Sequence, residues 1–342
     1  MHSPKSAAFV ALIALGTLLF VALAPPRMSS QTGPSTARLF IANQGNHTAI
    51  VVDPATHKAE TTVGVDINGH EVAVSPDRTL GYVPIYGNSG VGKPGTDGAT
   101  VQVVDLRAGY TRAIIDLGKP VRPHCAKFGP DGMLYVSAEL AQALYIVDPA
   151  SRKVVGQVPT GAEESHMFVL SPDGKHAYTA NVGVGSVSVL DIQHRSLVKV
   201  IPVAKVVQRI SISPDGKYVF THDQQAPRIA VIDTASNAIA RWISLPASVY
   251  SSQPTPDGKL LIANAPSGKL FVIDLSSDKV VASFDIPPAV GAIAIDATGS
   301  HAYVSCPQKG TVEVLDIAAR KLEAPIVLTP GADGLAWLPS IP

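Results

Sequence analysis

From residue 38 onward, short apolar runs alternate with clusters of turn-forming residues, and nowhere do the apolar positions fall at helical spacing. Residues 166–203 show the unit: HMFVL, an SPDG turn, HAYTAN, a glycine-rich link VGVG, SVSVLD and SLVKVIPV. The runs are rich in β-branched residues, with Gly, Pro, Asp and Asn between them, so four strands are predicted per unit. In the turn, proline fixes φ and glycine accepts a backbone conformation that other residues resist.

The unit recurs. Its Pro-Asp turn returns in VSPDR (74–78), FGPDG (128–132), LSPDG (170–174), ISPDG (212–216) and TPDG (255–258), and in degenerate form in DATG (296–299). Its apolar triplet closed by aspartate ends at Asp53, Asp105, Asp148, Asp191, Asp233, Asp274 and Asp316, first 52 and then 41 to 43 residues apart. Seven copies at this period predict an all-β fold, a seven-bladed β-propeller of four-stranded blades. Residues 38–63 supply three strands and DGLAWLP (333–339) supplies the missing first strand. The two ends are therefore expected to complete one blade and close the ring without a free edge. One domain spanning 38–342 follows. The insertion GNSGVGKPGTDG (87–98) explains the first long interval and is expected to be a mobile flap.

Residues 1–30 differ from the rest. Lys5 precedes an unbroken apolar run from Ala7 to Ala24, the pattern of an export signal at the lower length limit of a membrane span. Pro25 follows the ALA at 22–24 and opposes cleavage there, so a cleaved signal peptide and an uncleaved anchor both stay open. The body is expected to be periplasmic, secreted or in the cell envelope. With Cys125 and Cys306 the only cysteines, no disulfide framework is expected. Zero net charge, 16% charged residues and no Lys/Arg run argue against a nucleic-acid partner. Membrane contact is expected only through the N-terminal segment, and the protein is expected to be monomeric.

YTAN at 178–181, with SPDGKHAY before it and SVSVLD after it, resembles the repeat of the YVTN-family β-propellers. FIANQGNHTAIVVD and LIANAPSGKLFVID are looser copies. The resemblance extends over nearly everything after residue 38. It implies an exported seven-bladed propeller, and it implies little about function, since the family includes surface-layer proteins, periplasmic proteins and, more distantly, lactonases.

The repeat also aligns chemistry. The residue six before each turn proline is His70, His124, His166, Gln208 and Tyr250. Gly291 takes the place in the degenerate copy and Asp333 in the C-terminal strand. The first strand of a blade is innermost, so these seven positions are expected to ring one mouth of the central channel. His70, His124, His166 and Asp333 are consecutive around it. Three imidazoles and a carboxylate suit zinc, and imidazole also suits copper or iron. A histidine could instead act as general base with Asp333 orienting it. One structural histidine copied among repeats of common origin would give the same pattern. Gln208 and Tyr250 complete the candidate ligand-binding ring. Arg122, Arg209 and His222 lie on the same mouth, and the two arginines suit an anionic ligand. Cys125, adjacent to His124, should point to the opposite face and pack between blades. Besides a structural role in the cell envelope, two functions remain open. One is a binding or scaffold propeller that recognises a small molecule or a protein partner. The other is a metal-dependent or lactonase-like hydrolase using the His/Asp ring. No serine-hydrolase elbow, zincin helix or haem attachment motif is present.

Overall fold

A computed structural model describes residues 1–2, 37–91 and 93–341. The segment read as a signal or anchor lies, apart from its first two residues, outside the described residues. No helix among them is long and apolar enough to cross a membrane.

Seven antiparallel sheets follow one another along the chain, each ordered from its innermost to its outermost strand. Blade I joins the C-terminal strand Ala332–Leu338 to Arg38–Asn43, Thr48–Asp53 and Lys58–Gly64. The pairing of Leu39 with Trp337 and Ile41 with Leu335 closes the ring as the repeat phase predicts. Blades II to VII begin at Ala73–Val74, Pro123–Phe128, Ser165–Leu170, Ile210–Ile212, Ser251–Pro254 and Ile293–Ile295.

The sequence pattern explains the layering. Within a blade the second and third strands, such as His176–Asn181 and Ser186–Asp191, are buried on both faces because a neighbouring blade covers each. Outermost strands such as Lys153–Pro159 alternate exposed and covered positions. Apolar contact therefore runs from blade to blade. One cluster links Cys125 and Leu144 of blade III through Phe168 and Val187 of blade IV to Val219 of blade V. Cys125 packs between blades as expected, and both cysteines are free and buried.

The 87–98 insertion runs between two lengthened strands, Leu80–Gly87 and Asp97–Asp105. Arg122 holds its base: Nε and Nη2 donate to Asp97 Oδ1 at 3.0 and 2.9 Å, and Nη1 donates to the Gly90 carbonyl at 3.3 Å. The glycines serve close approach. At Gly98 a Cβ would lie 1.7 Å from the Ile85 carbonyl oxygen, and Gly87 has φ +91°.

Candidate functional site

The innermost strands bring the ring residues together. His124, His166 and Asp333 are each the second residue of their blade's first strand, while His70, Gln208 and Tyr250 stand just before theirs. The His70 and His124 ring centroids are 4.6 Å apart, and those of His124 and His166 are 3.5 Å apart. His70 Nε2 lies 3.2 Å from Asp333 Oδ2. On the other side, Gln208 Nε2 approaches His166 Nε2 at 3.1 Å, and Gln224 Nε2 donates to Gln208 Oε1 at 3.2 Å. Tyr86 borders all three imidazoles, with centroids 5.4 Å from His124, 5.9 Å from His70 and 6.2 Å from His166.

The outer histidines are held and the middle one is not. His166 Nδ1 pairs with Glu139, which is 1% exposed and also accepts from the Tyr86 hydroxyl at 2.8 Å. A proton on Nδ1 leaves the lone pair on Nε2. Asn68 Nδ2 donates to the Gly87 carbonyl, which turns its Oδ1 toward His70 Nδ1 at 3.1 Å. His70 then carries its proton on Nδ1 and presents a lone pair to Asp333, so Asp333 must hold a proton of its own. Burial pushes the Asp333 carboxyl up to about 7 against the opposing pull of Arg209, and burial takes His70 down to about 3. His124 is fully buried, and neither of its ring nitrogens has a hydrogen-bond partner. Burial and the flanking His166 and His70 hold it well below the ordinary histidine range.

Charge compensation closes off the arginines. Arg209 of blade V pairs through Nη1 with Glu71, two residues before blade II, and so spans the channel. Its Nη2 lies 3.4 Å from the Tyr250 hydroxyl and 3.8 Å from Asp333 Oδ1, with the guanidinium 4.9 Å from the Tyr250 ring centroid. Arg122 is committed to Asp97, with Glu139 Oε2 at 3.8 Å. Both arginines are buried, so neither is the free anion-binding group that the sequence suggested. His222 is also buried, with Nε2 2.8 Å from Ser252 Oγ, and burial followed by Arg209 lowers it to about 3.

Sequence reasoning missed Glu139, Glu71, Tyr86 and Asn68. One signal existed for Glu139. It directly follows the second strand, Leu134–Ala138, one position past the place where the polar residues Asn43, Asn181 and Asp223 end theirs. The fit to a metal is uneven. His124 offers buried, unpartnered nitrogens, whereas the His166 Nε2 lone pair faces Gln208 Nε2 and His70 Nε2 faces Asp333. The four ring residues, however, do not bring their ligand atoms within 4.8 Å of one another. Among the described residues, the group that does so is His301, Asp316 and Glu323 in blade VII.

No family model matches the chain, and no curated protein matches it. Solved structures do. A hydrazine synthase chain of Kuenenia stuttgartiensis is 23% identical with a TM-score of 0.70, covering 84% of this chain and 94% of that one. Dihydro-heme d1 dehydrogenase NirN, solved in complex with DHE, is 14% identical with a TM-score of 0.67, covering 92% and 78%. A functionally unknown protein of Desulfotomaculum acetoxidans DSM 771 is 14% identical with a TM-score of 0.73, covering 88% and 98%. At these identities the likeness shows the fold, a seven-bladed propeller, and nothing finer.

Proposed function

We propose that this chain is an exported YVTN-type propeller that binds a transition metal at the channel mouth, as a free ion or at the centre of a small ligand. His124 would be its first ligand, and His166 Nε2 would join it by exchanging its contact with Gln208. The observation that carries the reading is His124, a fully buried imidazole with two unpartnered nitrogens wedged between two other imidazoles. Leaving a buried polar group unpaired costs about 1–3 kcal/mol, a cost that a ligand would offset. The chemistry agrees with zinc, copper or iron: a metal takes neutral imidazole, and burial keeps His70 and His124 neutral. Glu139 on His166 supplies the carboxylate–histidine pairing that orients such a ligand.

The test uses protein purified without a polyhistidine tag. Wild type and His124→Leu are titrated with CuSO4, with ZnCl2 and with hemin. The hemin arm is included because NirN is described in complex with DHE. Binding by wild type that His124→Leu loses supports the reading, and the arm that binds identifies the form of the metal. No binding in any arm, or binding unchanged in His124→Leu, overturns it.

A further inference from the structure

We propose a second metal site, on the outer part of blade VII, in which His301, Asp316 and Glu323 bind zinc. It is independent of the channel reading. His301 opens the second strand, His301–Cys306, and pairs in register with Asp316 at the end of the third, Thr311–Asp316. Glu323 follows the short outer strand Lys321–Leu322. One imidazole nitrogen and two carboxylate oxygens lie within 4.8 Å of one another. One nitrogen and two oxygens, with a position left to solvent, form a donor set that zinc accepts.

The repeat supplies an internal control. Blade I carries Arg38, Asp53 and Glu60 at the same three register positions. There the cation is built in. Arg38 Nε and Nη2 donate to the two Glu60 oxygens, and Nη1 lies 4.0 Å from Asp53 Oδ1. In blade VII the same two carboxylates face an imidazole. Histidine brings a lone pair where arginine brings a permanent charge, so two carboxylates and a ligating nitrogen converge on the place a guanidinium fills next door. The other five blades keep the aspartate but have Arg112, Val155, Val198, Ala240 and Val281 where Glu323 stands. His176 with Asp191 in blade IV therefore lacks the third ligand.

The orientation of His301 agrees. Asp296 Oδ2 accepts the His301 backbone N–H at 3.0 Å and lies 3.3 Å from its Nδ1. A proton on Nδ1 directs the Nε2 lone pair toward Glu323, whose Oε2 is 3.8 Å away. A carboxylate behind a ligating histidine fixes its tautomer and ring direction. Asp296 fills the position where Ser75, Ser171 and Ser213 begin the turn in other blades. The side chains of His301 and Glu323 are 32% and 46% exposed, so an ion in solution can reach them.

Calorimetric titration with ZnCl2 of wild type, His301→Arg, Glu323→Gln and His124→Leu tests the site. His301→Arg recreates the blade I arrangement and should fold with an unchanged melting temperature. Glu323→Gln removes a ligand at an exposed position and guards against a folding failure in the first variant. The expected result is a zinc site present in wild type and His124→Leu and lost in both blade VII variants. Zinc binding that is absent from wild type, or equal in wild type and both blade VII variants, overturns the proposal. Zinc binding retained in His124→Leu and lost in His301→Arg establishes this site even where the channel reading fails.

Discussion

Glu139 decides how rigid the histidine cluster is. Its buried carboxylate takes His166 Nδ1 and the Tyr86 hydroxyl at once, with Arg122 Nη1 3.8 Å away. On the proposed metal reading it acts through His166, as a positioning residue. Glu139→Gln keeps the shape and an acceptor but removes the charge, so His166 loses the partner that fixes its tautomer. Loss of such a partner lowers metal affinity about 10–100-fold. The channel metal affinity of Glu139→Gln, measured by titration, should fall by that factor while the circular dichroism spectrum stays that of wild type. An unchanged affinity would reduce Glu139 to packing. The histidines themselves were legible because the repeat phase alone aligns His70, His124 and His166. Glu139 was not, because its partner is 27 residues away in the next blade. Arg122 and Arg209 were misread for the same reason. Sequence displays a positive charge, but the carboxylates that neutralise it come from other blades: Asp97 from blade II and Glu71 from beside it.

At the level of the turn, one motif does the same work in four blades. Ser75, Ser171, Ser213 and Thr255 donate through the hydroxyl to Asp77, Asp173, Asp215 and Asp257. Each aspartate also accepts the backbone N–H two residues on. Hydrogen bonds to the charged form hold all four carboxyls below their ordinary value, led by the hydroxyl, and Asp215 falls to about 2. The sign is that of a depressed carboxylate. The stabilisation is complete above the unfolded value of about 4 and is lost as pH falls toward the folded value. Melting temperature should therefore decline between pH 4 and pH 2, and Ser213→Ala should decline less steeply because its Asp215 begins closer to the unfolded value. Parallel curves for the two proteins would rule the motif out as the source. These turns were readable from Pro-Asp-Gly spacing, and so were the strands they join. The pairing at the base of the 87–98 insertion was not, since it comes from Arg122 of the following blade.

Across the whole ring, two devices connect segments far apart in sequence. Closure pairs Arg38–Asn43 with Ala332–Leu338, and its signature lay in the incomplete repeats at the two ends. The second device had no signature. Arg209 and Glu71, 138 residues apart, meet across the channel with Asp333 and Tyr250 beside them. Arg209 is 3% exposed, and against its burial Glu71 leads the groups that keep the guanidinium charged. Removing one partner of a buried pair leaves an uncompensated charge and costs about 3–5 kcal/mol, whereas replacing both by apolar residues is often neutral. Arg209→Met should therefore be strongly destabilised in denaturant unfolding, with Glu71 and Asp333 left facing each other. Arg209→Met/Glu71→Met should recover most of that loss, because only the protonated Asp333 remains to be buried. Coupling of this size between blades II and V would make the pair a tie across the propeller. If the two substitutions instead add, each residue acts only within its own blade, and the ring is held by closure and interblade packing alone.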